Sequence, residues 1–144
     1  MKSSMINDET KEKLIAAALE ARHMAYAPYS HFQVGAALLS ENGEIYRGGN
    51  IENASFGATN CAERTAFFKA VSEGERQFKA IAIAGGKEGQ DPVNYVYPCG
   101  ICRQVMQEFA GSDFCIFVVK GINDYKEYTL AELLPAGFGG ESIR

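Results

Sequence analysis

The chain contains no apolar run of the length needed to cross a bilayer, and its opening residues, MKSSMINDETKEKL, lack the uninterrupted apolar stretch of a secretory signal. The expectation is a cytoplasmic protein with no membrane partner. Positive charge is also in short supply: 14 Lys and Arg stand against 18 Asp and Glu, for a formal net charge of -4. Proteins that gain affinity by neutralising a polyanion concentrate basic residues on one face, so this balance argues against a nucleic-acid partner and favours small, uncharged or cationic substrates. Histidine is scarce: neither His23 nor His31 has a Cys or His at a spacing suited to a metal pair, and both read as surface or structural residues. Cysteine is sparse as well. Four thiols in a reducing compartment point to ligands, catalytic groups or buried side chains and away from a disulfide framework.

What remains is an ordinary globular composition, 47% hydrophobic and 22% charged, over 144 residues. That length fits one domain with its own core, residues 1–144, and the mixture excludes a disordered chain. Apolar residues Leu14, Ile15, Ala18 and Leu19 recur at helical spacing between Asn7 and about Met24, with Asn7 or Asp8 as N-cap and Pro28 closing the region. QVGAALLS and EIYRGG flank Asn42-Gly43, which predicts a hairpin over roughly 33–48 with a two-residue turn. NIENASFGATN reads as a polar loop, and CAERTAFFKAVSE as a helix ended by Gly74. KAIAIAGG and FCIFVVKG are β-prone runs separated by the helix candidate PCGICRQVMQEF. YKEYT follows as a short strand and LAELL as a helical turn. The alternation indicates a layered α/β domain without internal repeats.

The chemistry lies in the cysteine spacing. Cys99 and Cys102 form a C-x-x-C pair at a helix start, one turn apart, where the helix dipole favours thiolates. That pair alone is compatible with thiol–disulfide exchange or with half of a zinc site. Cys61 precedes a second helix, so three thiolates from two helix starts could meet at one ion and leave its fourth position open, whereas a structural site closes all four. Cys115, within FCIFVVK, reads as a small buried hydrophobe rather than a fourth ligand. Glu63 is either a first-turn glutamate complementing its helix dipole or a proton acceptor beside an open zinc site. Arg64, three residues from Cys61, is either a solvated helix residue or a donor to thiolate sulfur.

Cys61-Ala62-Glu63 followed by Pro98-Cys99-Gly100-Ile101-Cys102 resembles the zinc nucleoside and base deaminases in the all-cysteine version of their metal site. More narrowly the chain is similar to the small homotetrameric cytidine deaminases, from its first helix to LLPAGF. NIENASFGATNCAERTA and PCGICRQVMQEF are the segments that carry this resemblance. It implies a three-layer α-β-α sandwich around a mixed, five-stranded sheet, with one Zn²⁺ per subunit held by Cys61, Cys99 and Cys102. It further implies hydrolytic deamination at C4 of cytosine in pyrimidine salvage, with Glu63 moving protons to N3 and to the departing amine, and Arg64 tempering the thiolate charge. Asn50 and Glu52 would bond the ribose hydroxyls, Phe32 would pack on the base or sugar, and Ala62 would offer backbone groups to the pyrimidine. Phe138, in a tail of about 135–144, would reach a neighbouring subunit's pocket. Phe56 stands where many relatives carry tyrosine, so any contact there must come from the ring and not from a hydroxyl. Two other readings share these cysteines: a deaminase for a related nucleoside such as blasticidin S, and a non-enzymatic domain with zinc closed by Cys115.

Overall fold

A computed structural model describes residues 6–143; the remaining terminal residues of the expected 1–144 domain lie outside them. The first helix, α1, spans Asp8–Ala21 and is capped as expected, the Asn7 side chain accepting from the Thr10 N–H at 2.8 Å. It tightens into a 3₁₀ turn over Arg22–Met24 before Pro28. Strands β1 (Phe32–Ser40) and β2 (Ile45–Gly49) form the hairpin. Helix α2 (Ala62–Ser72) then leads to β3 (Phe78–Lys87), and α3 (Gly100–Phe109) to β4 (Cys115–Gly121). Strand β5 (Asp124–Thr129) and the short α4 (Leu130–Leu133) follow, with Thr129 and Glu132 completing a capping box at the junction.

The five strands form one mixed sheet in the order β2-β1-β3-β4-β5. β1 pairs antiparallel with both β2 and β3, and β3 and β4 pair in parallel across the α3 connection. Side chains alternate between two cores, as the pleat requires. Leu14, Ile15 and Ala18 of α1 pack with Ala37, Leu39, Ala80, Ala82, Ala84, Cys115, Phe117 and Val119 on one face. On the other, Ala62, Ala66, Phe67 and Ala70 of α2, with Cys102 and Met106 of α3, pack with Ala36, Leu38, Ile81, Ile83, Ile116 and Val118. This is the expected three-layer sandwich. Each strand divides its residues by parity, and the alanines that β1 and β3 turn toward α1 leave room for that helix to lie close.

The expected two-residue hairpin turn is corrected to a longer loop. The Gly43 N–H donates to the Ser40 carbonyl and the Ser40 N–H to the Glu44 carbonyl, so Glu41, Asn42 and Gly43 form a three-residue connection. Only Gly43 takes a positive φ, at 94°, whereas a two-residue turn of the kind favoured by Asn-Gly needs positive φ at both residues. Gly48 on β2 matters for a different reason. A Cβ there would sit 2.7 Å from the Ala66 nitrogen and 2.8 Å from the Ala62 oxygen, so the absence of a side chain lets α2 rest directly on the strand. Replacing Gly48 with alanine should therefore cost about 1–3 kcal/mol, the range for forcing extra atoms into a packed site. Urea unfolding of Gly48→Ala against the parent checks this.

Candidate active site

β2 and β3 both run antiparallel to β1 and hence point the same way, and the helix after each returns along the same face. The N-termini of α2 and α3 are therefore delivered to one edge of the sheet, at the C-terminal ends of those strands, where open α/β sheets characteristically bind ligands. Cys61 is the N-cap residue of α2 and Cys99 that of α3, and neither side chain caps its helix. Both sulfurs are left free to face each other. Cys61 Sγ lies 3.8 Å from Cys99 Sγ, which is 3.5 Å from Cys102 Sγ, and all three sulfurs fall within 4.8 Å of one another.

These separations fit a metal. Thiolates about 2.3 Å from a tetrahedral zinc lie about 3.8 Å apart, whereas a disulfide would bring its sulfurs to about 2.05 Å. All four cysteines are free thiols. Cys115 is on the opposite face of the sheet, in the α1 core, because its position in β4 has the parity of Phe117 and Val119. The closed four-cysteine arrangement is thus excluded by the pleat. Neither histidine joins the thiols: among the described residues the ligand-sized group is Cys61, Cys99 and Cys102. His31 instead places Nδ1 3.9 Å from the Glu88 carboxylate.

Electrostatics mark the same spot. The Arg64 guanidinium donates from Nη2 to Cys61 Sγ at 3.3 Å, while its buried Nε has no partner. A hydrogen bond from Cys102, reinforced by Arg64 and opposed by burial, holds the Cys61 thiol down at about 5. The Cys102 thiol is pushed up in turn, by the same bond to Cys61 and by burial. Burial opposes the charge on Arg64, but its bonds to the two sulfurs outweigh this and raise its pKa. The bond to Cys61 and burial thus favour a proton on Cys102, which a divalent metal would displace. Glu63, in the first turn of α2, is 4% exposed, and burial lifts its carboxyl to about 7 against the pull of its own backbone N–H. A buried carboxyl of this kind can hold or release a proton near neutrality.

The expected nucleoside contacts form a second group. Asn50 accepts from the Val34 N–H at 2.9 Å and donates to the Phe32 carbonyl at 3.0 Å, so its side chain pins the start of β1, where Phe32 sits. Glu52 accepts from the backbone N–H groups of Tyr29 and Ser30, at 3.0 and 3.1 Å, and from the Ser30 hydroxyl. Those donors hold its carboxyl below the usual range, the Ser30 hydroxyl contributing most. Phe56 lies in a 3₁₀ turn, Phe56–Ala58, 77% exposed, with its ring edge-on to Tyr29 at 6.4 Å. Tyr29, Ser30, Glu52, Phe56 and Thr59 line a cleft of about 380 Å³. Ala62 is fully buried against the sheet, which leaves only its backbone for recognition. Phe138 is exposed, with its carbonyl accepting from Gln104 Nε2 at 2.7 Å on α3. Sequence reasoning missed Tyr29 and Ser30 as the groups that orient Glu52. They stand more than twenty residues before it, and no spacing rule connects them.

The arrangement is that of a small α/β zinc enzyme domain. The chain belongs to the cytidine and deoxycytidylate deaminase family: the model for that family's zinc-binding region matches residues 8–118. It is 53% identical over 132 residues to a cytidine deaminase of Sporosarcina psychrophila, covering 92% of this chain and 93% of that protein. It is 50% identical over 133 residues to one of Halalkalibacterium halodurans, covering 92% and 97%. The crystal structure of a cytidine deaminase from Burkholderia pseudomallei matches with a TM-score of 0.80 at 44% identity, over 88% of this chain and 97% of that one. A blasticidin-S deaminase of Bacillus cereus is more distant, 32% identical over 138 residues, covering 94% and 96%. Zinc is the family's metal, and the thiol geometry suits it.

Because Cys115 faces the other core, Cys115→Ser should leave one zinc per chain by elemental analysis. Its cost should be confined to stability, about 1–3 kcal/mol for burying a hydroxyl in an apolar layer. Zinc loss from the folded variant would return Cys115 to the ligand set.

Proposed function

We propose that the chain catalyses the zinc-dependent hydrolytic deamination of cytidine and deoxycytidine, giving uridine or deoxyuridine and ammonia, as a step of pyrimidine salvage. The observation that carries this reading is the buried Glu63 carboxyl, two residues from a thiol that converges with two others at a spacing suited to zinc. Cys61, Cys99 and Cys102 hold the metal, one ion per subunit. When bound, zinc supplies Lewis-acid chemistry, bringing the pKa of a water toward about 7.

Glu63 takes the proton from the attacking water and delivers it to N3 of the pyrimidine. It then moves the proton of the new C4 hydroxyl to the amino group, whose C4–N bond breaks as the C4 carbonyl forms, so that water and cytidine balance uridine and ammonia. Arg64 offsets the net negative charge that three thiolates leave on a dication, a charge that would otherwise make water harder to ionise. Phe32 packs against the nucleoside, and Phe56 contributes its ring alone. Backbone groups of Ala62 bond the pyrimidine. Asn50 reaches the sugar with the donor and acceptor capacity left after it clasps β1.

Glu52 has a countable capacity. A carboxylate offers about four acceptor sites, and three donors from Tyr29 and Ser30 fill three of them. One site is left for one sugar hydroxyl, which is consistent with acceptance of both ribose and deoxyribose.

The active form is a homotetramer in which Phe138 enters a neighbour's pocket. This reading is supported by the exposure of the large apolar side chains Tyr26, Tyr29, Phe32, Ile51, Phe56 and Phe138. Residue 144, the last of the expected tail, lies outside the described residues. The free thiols fit a reducing cytoplasm. Among the described residues no helix is long and apolar enough to cross a membrane.

Loss of cytosine absorbance on incubation with cytidine tests the activity. Glu63→Ala should retain zinc while kcat falls by at least the 10²–10⁴-fold typical of losing a general acid–base, on the order of 3–5 kcal/mol. Full activity in that variant would sink the proton-transfer role. For the assembly, light scattering should give four chains, and Phe138→Ala should raise KM by roughly tenfold, the loss of about 1.4 kcal/mol of ring contact. A monomer with unchanged KM would reject the shared pocket.

A further inference from the structure

The turn into α3 and the end of α4 belong to different elements, yet one side chain bonds both. Arg103, half-buried in the first turn of α3, donates from Nε to the Pro98 carbonyl at 2.7 Å and from Nη1 to the Leu133 carbonyl at 2.6 Å. The Pro98 carbonyl belongs to the peptide that enters Cys99, and Leu133 closes α4, just before the stretch that carries Phe138. The neighbouring residues extend the grip. Gln104 donates to the Phe138 carbonyl. Gln107 lies against Gly137, where a Cβ would meet its Oε1 at 2.7 Å, so a larger residue there would displace the Gln107 side chain.

Arg103 matters most for Cys99. Cys61 has Arg64 bonded to its sulfur, and Cys102 is buried within its helix. Cys99 is exposed and sits at the helix boundary, so its placement depends on the Pro98–Cys99 peptide. A planar guanidinium fork can bind two carbonyls at fixed geometry, whereas a lysine ammonium on a flexible stem cannot hold both in the same way.

We propose that Arg103 is a positioning residue that ties the Cys99 metal turn to the tail bearing Phe138. One side chain thereby sets both the metal end of a subunit's own site and the wall that the subunit offers to its neighbour. This rests on the reading of the three thiols as zinc ligands and of Phe138 as a pocket contact, but its first two readouts need no cytidine.

The test compares Arg103→Ala, Arg103→Lys and Gln104→Ala with the parent as zinc-loaded full-length proteins, below their measured unfolding temperatures. It follows zinc transfer to a chromogenic pyridylazo chelator, amide hydrogen exchange over residues 134–139, and KM with kcat. Arg103→Ala should release zinc roughly 10- to 100-fold faster, the usual effect of losing a group that orients a ligand. Its tail should also exchange faster, and KM should rise more than kcat falls. Arg103→Lys should recover part of one readout, and Gln104→Ala should loosen the tail while zinc release stays at the parent rate. Parent-like zinc release in Arg103→Ala, or faster release with an unchanged tail, would overturn the proposal. If Arg103→Ala does not fold, Arg103→Lys decides by the same two rates, the parent rate in either one refuting the link. If the parent holds zinc but leaves cytidine intact, the substrate reading fails while these two rates still judge Arg103.

Discussion

β1 pairs antiparallel with the strand on either side, so β2 and β3 must run in the same direction, and the helix that follows each must begin at the same edge of the sheet. The rest of the site depends on this constraint. It brings Cys61 and Cys99, thirty-eight residues apart, to N-cap positions 3.8 Å from each other at the sulfurs. Helix geometry adds Cys102 one turn further on. Gly48 supports the arrangement from below, since any side chain there would push α2, with Cys61 and Glu63, away from the strand.

Once three thiols share that space, electrostatics dictate what else must be present. Like charges at this range repel strongly away from bulk water, so the cluster needs a cation, a retained proton or a nearby guanidinium. The fold supplies Arg64 directly, and the bond to Cys61 together with burial favours the protonated form of Cys102. The same burial that makes the thiolates costly raises the Glu63 carboxyl to about 7. One corner of the sheet thus combines a thiol cluster suited to a metal with a buried carboxyl suited to proton transfer near neutrality.

The proposed nucleoside contacts are built differently, from loops tied by side chains rather than from helix starts. Asn50 clasps β1 on either side of Gln33, and Glu52 is oriented by the Tyr29–Ser30 turn. These residues spend most of their hydrogen-bonding capacity on the protein itself. What remains for a ligand is small in number and fixed in direction, which favours selectivity over strength.

Local sequence patterns carry the elements and the chemical inventory. Periodicity and apolar runs locate the four α-helices and five strands of the described residues, because such patterns are local, whereas the 3₁₀ turns at Phe56–Ala58 and Gly140–Ile143 fall in segments that read as loop and tail. C-x-x-C with C-A-E supplies the candidate ligands and carboxylate. The hairpin turn was misjudged by one residue, because Asn42-Gly43 permits two geometries and the pairing of Ser40 with Glu44 selects the longer. The apolar neighbours of Cys115 mark it as buried, but that it faces away from the thiol centre follows from its register in β4. The partners of Glu52 and the double bond of Arg103 were not legible at all. Such contacts join residues far apart along the chain, and only the folded backbone decides which distant carbonyl or carboxylate a side chain will meet.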